Sequence, residues 1–336
     1  GLGDVYKRQL PTTAGSFLLK DNIAEDSFVV KKLKESGAIV LGKTNLSEWA
    51  YYFCKGCPLG YSAIGGQTLN PYGRKVFESG GSSSGSGVAI SANFSSISLG
   101  SETSGSIISP SSLNSIVGLK PTIGLVSRTG IVPISSTLDT AGPMTKNVID
   151  NAIVFNSIMG YDNEDDYSKE RIIIDYEKIS NSTLKGKKLG VFKGLLDEPL
   201  YKKAITDIQN DGGVIIEFDP PKIDFSGFIK ILDVDMKNEL PKYLSKYSKS
   251  NSGLKNISDI INFNSIDSLK RSPYGQGRFE GVISDSTSIE EFELLKLKIK
   301  KEGKRYFDDV IQKYSLDAVL STVSYTHLTL PTIYSV

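Results

Sequence analysis

Two short runs hold the side chains most able to do chemistry. Gly80-Gly81-Ser82-Ser83-Ser84-Gly85-Ser86-Gly87 is followed by Glu102-Thr103-Ser104-Gly105-Ser106-Ile107, which sets Ser106 24 residues beyond Ser82. Three chemistries compete for such glycine- and serine-rich runs. A phosphate-cradling loop wants G-x-x-x-x-G-K-[ST], and no lysine follows these glycines. A dinucleotide site wants G-x-G-x-x-G directly after a strand, which the first run does not supply. A hydrolase would use one serine as nucleophile and the backbone N–H groups of the glycine-rich turns as an oxyanion hole, and this fits best.

A serine hydroxyl needs a base to take its proton. The chain has one histidine, His327, close to the C-terminus, which leaves lysine or a carboxylate for the task. A lysine serves as base only where burial or nearby cations lower its pKa. The surroundings offer such burial. Between Ser79 and Ser115, 22 of 37 residues are serine or glycine, and from Ser79 to Thr145 only Glu102, Lys120, Arg128 and Asp139 carry charge. An average composition would place about fifteen charges there. A flexible linker shares the glycine and serine content. It has no use, however, for the apolar pieces Val88-Ala89-Ile90, Ile97-Ser98-Leu99, Ile107-Ile108 and Ile116-Val117-Gly118-Leu119. The stretch therefore reads as a buried, backbone-dense region, since small residues let backbones pack closely and aim N–H groups at a ligand. Ser83 and Ser84 read as loop packing, and Arg128 and Asp139 as structural charges bracing this core.

The elements that must hold these runs alternate between helix and strand. A helix is expected from Ser27 to about Ser36, stopped by Gly37, and then a short buried strand over Ala38 to Leu41. Val148 to Met159 reads as a helix, Lys188 to Phe192 as a strand, Leu200 to Gln209 as a helix and Val214 to Phe218 as a strand. Ile289 to Tyr314 is a long charged amphipathic helix, followed by a strand-like Leu316 to Ser321. Such alternation argues for an α/β architecture around a mixed, mainly parallel sheet.

Composition narrows the function classes. The chain has 336 residues with 39 basic and 38 acidic side chains, a net charge of +1 that gives no general affinity for nucleic acid. No apolar run reaches the length of a membrane span, and a cytoplasmic location is the default expectation. Cys54 and Cys57 form C-x-x-C, the spacing of a redox pair or half a zinc site. With no second such pair and no histidine nearby, they read as two incidental thiols in a turn, and no metal site is expected.

At the serine runs the sequence resembles the amidase signature family, serine hydrolases with a Ser–Ser–Lys triad. The resemblance is carried by Gly80-Gly81-Ser82-Ser83-Ser84-Gly85, by Gly100-Ser101-Glu102-Thr103-Ser104-Gly105-Ser106-Ile107 and by Gly118-Leu119-Lys120-Pro121-Thr122. Flanking agreement comes from Thr12-Thr13-Ala14-Gly15-Ser16, from Gly42-Lys43-Thr44-Asn45-Leu46-Ser47-Glu48-Trp49 and from Asp139-Thr140-Ala141-Gly142-Pro143-Met144. Gly65-Gly66-Gln67-Thr68-Leu69-Asn70-Pro71-Tyr72 and the Glu-for-Asp at 102 are most similar to the peptide-amidase-like branch. The resemblance implies one large α/β/α sandwich over residues 10–322 with a signature core at 79–145, the stretches 1–9 and 323–336 standing outside it as foreign sequence and the copy truncated. It implies Ser106 as nucleophile, Ser82 as the bridging serine after a cis peptide, and Thr103, Ser104 and Gly105, with the Ser106 N–H, as the oxyanion hole. The substrate would be a small or peptide amide, cleaved through an acyl-enzyme to release ammonia or an amine, and no cofactor is implied. Tyr274-Gly275-Gln276 resembles a substrate-side loop.

Three departures bear on this. The family's lysine, in a K-D-N context ahead of T-T-A-G-S, falls at Gly1 to Gly3, where no lysine stands. Lys7 lies too near Thr12 and Lys20-Asp21-Asn22 follows the segment, so neither is assigned the role. Ile108-Ser109 stands where many relatives carry arginine, and Ser84 and Ser104 stand where glycine is frequent, which would strain a positive φ. Two alternatives follow: a catalytically dead fragment, or the glutaminase subunit of a tRNA-dependent amidotransferase.

Overall fold

The computed structural model describes residues 10–248 and 255–323. The N-terminal part contributes helix α1 (Phe28–Glu35), a two-stranded antiparallel hairpin of β1 (Tyr61–Ser62) and β2 (Gly66–Gln67), and helix α2 (Ser84–Ser91). Strand β3 (Ile97–Glu102), helix α3 (Ile108–Leu113), strands β4 (Val117–Gly118) and β5 (Thr140–Thr145), and helix α4 (Val148–Ile158) complete the serine-bearing half. Its sheet has the order β3-β5-β4 and is antiparallel throughout, with Glu102 opposite Thr140 and Gly100 opposite Gly142.

This half is built by close backbone approach. Every residue of β5 is buried, and a Cβ at Gly142 would sit 2.0 Å from the Leu119 carbonyl oxygen. The α2 sequence SGSGVAIS is a poor helix former, because each interior glycine costs roughly 0.5–1 kcal/mol against alanine. It is helical because nearly every residue is buried against β3, β5 and α3, and the glycines permit that contact: a Cβ at Gly85 would lie 2.4 Å from the Asn45 carbonyl oxygen. The buried hydroxyls find carbonyls. Ser86 Oγ donates to Leu99 at 2.8 Å and Ser98 Oγ to Ser86 at 3.0 Å. The buried, backbone-dense reading of this stretch is what the structure shows.

The second half follows with α5 (Tyr176–Ser180), β6 (Lys188–Phe192), α6 (Pro199–Asn210), β7 (Val214–Phe218), α7 (Phe228–Tyr247), α8 (Ile257–Ser265), α9 (Ser268–Arg271), α10 (Gly277–Ser284), α11 (Ile289–Tyr314) and β8 (Ala318–Leu320). Its sheet is parallel, in the order β7-β6-β8. Phe192, Phe218, Tyr306, Val310 and Leu316 form one apolar cluster against it, and Val191, Tyr201 and Ile205 another. The main core joins the two halves: Trp49 and Phe53 pack on Phe279 of α10 at ring distances of 5.5 and 5.2 Å, among Met236, Leu240 and Ile260. No helix of the described residues is long and apolar enough to cross a membrane.

The architecture is α/β, and β6, α6, β7 and α11 fall where the sequence pattern sets them, within a residue. Parallel pairing is confined to the second half among the described residues, because only there does a helix carry the chain back between neighbouring strands. The strand expected over Ala38 to Leu41 is absent. That run is irregular, with Ile39 68% and Leu41 74% exposed, and no described strand lies beside it to take its backbone hydrogen bonds.

Candidate active site

Ser82 opens the turn that leads into α2. Gly80 before it has φ +65, and a Cβ there would lie 2.8 Å from Pro110 backbone atoms, so only glycine fits. The Gly81–Ser82 peptide is cis, as the resemblance implies. Ser82 is 2% exposed, its carbonyl accepts the Ser47 N–H at 3.0 Å, and Ser84 Oγ donates to the Gly80 carbonyl at 2.6 Å. The next residue makes the link between the two serine runs: the Ser83 N–H donates to the Ser106 carbonyl at 3.1 Å.

Ser106, 5% exposed, sits on the turn between β3 and α3. Gly105 supplies the positive φ of that turn, at +82. Neither Ser84 nor Ser104 has a positive φ, so serine in place of glycine carries no backbone strain at either position. The turn is pinned from behind by Glu102, whose buried Oε2 accepts the N–H groups of Ile107 at 2.8 Å and Ile108 at 3.0 Å. From the side, Thr103 Oγ1 donates to Asp139 Oδ1 at 2.6 Å, while Asp139 Oδ2 takes the N–H groups of Ile134 at 2.8 Å and Ser135 at 2.9 Å.

The four charges of this stretch feel one another's fields. Glu102 opposes Lys120, whose pKa burial pushes down and the Glu102 charge pushes back up. Burial raises Asp139 to about 6, against the hydrogen bonds it accepts and the nearby Arg128 charge. Arg128 donates from Nε to Asp165 at 2.9 Å, pairs with the same carboxylate through a second nitrogen, and reaches the Ser136 carbonyl. Arg128 and Asp139 thus each tie together segments distant in sequence.

Thr103 faces a cavity of about 440 Å³ whose wall also includes Glu102, Arg128, Ile131, Asp139 and Tyr167. Ser82, Ser104, Gly105 and Ser106 are not on that wall. Tyr274 does not face it either: its ring packs edge-on against Tyr61 at 4.9 Å, and the amide of Gln276 is buried against Asn264 and the Ile261 carbonyl. Lys20 is exposed and pairs with Asp21. Lys7, Gly1 to Gly3 and His327 lie outside the described residues.

Two features escape a sequence reading. The Thr103–Asp139 bond spans 36 residues, and no spacing rule announces it. Asn45 binds the Gly66 carbonyl at 3.0 Å and gives its own carbonyl to the Gly85 N–H at 2.9 Å, joining the hairpin to α2. Cys54 and Cys57 stand side by side in one turn, with Cα atoms 5.9 Å apart, a separation that a disulfide spans. The C-x-x-C spacing was the available signal. Among the described residues no three His, Cys, Asp or Glu side chains gather as a metal group.

Comparison with known proteins shows the family. The Amidase family matches residues 4–330. A probable amidase of Arabidopsis thaliana is 37% identical over 330 residues, covering 94% of this chain and 64% of the relative. The A subunit of glutamyl-tRNA(Gln) amidotransferase from Rippkaea orientalis is 41% identical over 221 residues, 63% of this chain and 45% of that protein. The crystal structure of the peptide amidase from Stenotrophomonas maltophilia superposes with a TM-score of 0.85 at 34% identity, over 92% of this chain and 66% of that one. The chain thus spans less than two thirds of each of these three proteins. With the matched segment running through both serine turns, the chain belongs to the amidase family.

Proposed function

We propose that the protein is an amide hydrolase working through an acyl-enzyme on Ser106. The observation that carries this reading is the Ser83 N–H to Ser106 carbonyl bond at 3.1 Å, which sets the two serine turns side by side in a buried, backbone-lined place. Ser106 Oγ attacks the amide carbonyl carbon and its proton passes to Ser82 Oγ, which gives its own proton to the base. The carbonyl oxygen, now negative, takes hydrogen bonds from the N–H groups of the Thr103-Ser104-Gly105-Ser106 turn. One such donor is worth roughly 3–4 kcal/mol in the transition state. The C–N bond breaks as the nitrogen takes up a proton, and ammonia or an amine leaves. Water then attacks the ester on Ser106 and releases the carboxylic acid.

Glu102 and Asp139 take no proton in this scheme; they fix the turn whose N–H groups do the work. The base is the family's lysine, and the place it would occupy reads Gly-Leu-Gly in this chain. A fluorophosphonate probe tests the reading on this chain carrying a K-D-N segment grafted ahead of Thr12. Ser106 should be labelled there and the S106A variant should not be; an unlabelled Ser106 in that protein ends the proposal. Labelling that depends on the grafted segment would make the 336-residue chain catalytically dead as it stands.

The 41% identity to an amidotransferase A subunit favours a second reading, a glutaminase that works with partner subunits. Hydrolysis of a simple amide by the isolated protein, with no partner recovered in a pull-down, counts against it.

A further inference from the structure

A second cavity, of about 10 Å³, lies beside the residue that follows Ser47, the donor to Ser82. Its walls include Glu48, Tyr51, Tyr61, Ser272 and Tyr274, together with the Cys54–Cys57 turn. A space of that size admits one particle as large as a water molecule. Glu48 is 6% exposed; its Oε2 accepts the Ala63 N–H at 2.8 Å, and its Oε1 is buried with no hydrogen-bond partner.

The backbone around it is held in an uncommon shape. Trp49, Ala50 and Tyr51 all have positive φ, at 49, 54 and 71°. Residues with side chains keep that conformation only where their surroundings impose it. Here Trp49 is wedged against Phe279 and Tyr51 Oη donates to the Cys57 carbonyl at 3.0 Å, so both ends of the turn are clamped. The turn brings Tyr51 to the cavity beside Glu48, opposite the edge-to-face rings of Tyr61 and Tyr274.

One carboxylate oxygen and several aromatic rings around a water-sized space make a setting for a small singly charged cation. A divalent ion would want a larger set of oxygen ligands, and Glu48 is the only carboxylate on this wall. We propose that this cavity binds one monovalent cation of ammonium or potassium size, with Glu48 Oε1 as its charged ligand. The site stands whether or not Ser106 is active, and a primary amide cleaved nearby would supply ammonium.

Burial raises Glu48 to about 8, against the hydrogen bonds from Ala63 and Ser16, so the cation competes with a proton. The groups facing it are Tyr51, which feels Glu78 and Arg278, and Tyr61, which feels Glu48 and Tyr274; the tyrosines are pushed up and stay neutral. Cation affinity should therefore rise about tenfold per pH unit up to about 8 and level off above it.

Thermal unfolding of the chain in ammonium, potassium, sodium or tetramethylammonium chloride, at matched ionic strength and pH 6.5 to 8.5, tests this. Ammonium or potassium should raise Tm saturably, with a half-saturating concentration about tenfold lower at pH 7.5 than at 6.5. Whichever of the two saturates first identifies the ion. Tetramethylammonium is too large to enter and should give no such rise, and E48Q should abolish the response. Equal responses to all four salts, or a response retained in E48Q, would overturn the site. Should E48Q fail to fold, proton release from the native protein on adding ammonium at pH 7.5 decides: a saturable release supports the site, and none refutes it.

Discussion

Around Ser82 and Ser106 backbone packs on backbone, whereas around β6 the packing is done by large side chains. In the first region glycines meet carbonyl oxygens and serine hydroxyls close the remaining gaps. In the second, Phe192, Phe218 and Tyr306 fill the space, and the charges sit outside in exposed pairs such as Lys203 with Asp207. A side chain can turn to absorb a change; two abutting main chains cannot. The region proposed to hold oxyanion donors to a few tenths of an ångström is the one built from parts that cannot move.

The sharpest way to break this contrast is to add one methyl group at Gly142. Its Cβ would lie 2.0 Å from the Leu119 oxygen and 3.1 Å from Ile107 Cδ1, the residue after Ser106. Overpacking typically costs 1–3 kcal/mol and occasionally more. With main chain on one side and the neighbour of Ser106 on the other, G142A should cost at least about 3 kcal/mol by urea unfolding. It should also abolish Ser106 labelling in any protein that remains folded. A G142A protein with native stability would show that the two regions do not differ as described.

What the sequence made legible follows the same division. The period of α11 and the apolar runs of β6 and β7 could be read directly, because side-chain packing leaves a periodic imprint. Helix α2 leaves none: its glycines and serines have poor helical propensity, and burial alone makes it a helix. Ala38 to Leu41 shows the converse, an apolar run without a partner strand. The serine pair was visible only as a family pattern. The carboxylates that orient it, Glu102 and Asp139, were visible as rare charges in a neutral stretch, but their partners were set by the fold.

The second prediction concerns the charge held in that neutral core. Asp139 rises from 3.8 to about 6 on burial. The folded protein therefore binds this proton more tightly than the unfolded chain. The group's contribution to stability is fully present below about pH 4 and lost as pH rises through about 6, a change of about 3 kcal/mol. D139N removes the titration. Urea unfolding from pH 4 to 7 should show native stability falling relative to D139N across that window. An Asn cannot accept from both the Thr103 hydroxyl and the Ile134 and Ser135 N–H groups as the carboxylate does, so Ser106 labelling should also weaken at every pH.

The mildest test lies in the other half, where glycine is not forced by contact. Gly281 sits inside α10 with nothing within 4 Å of its would-be Cβ and no positive φ. Alanine there loses less conformational freedom on folding and has the higher helical propensity. G281A should stabilise the protein by roughly 0.5–1 kcal/mol, read as a small rise in Tm with Ser106 labelling unchanged. The same chemical change, one methyl for one hydrogen, then has opposite signs at Gly142 and Gly281. If G281A instead destabilised the protein, side-chain packing around α10 would be as unyielding as the backbone packing around the serines.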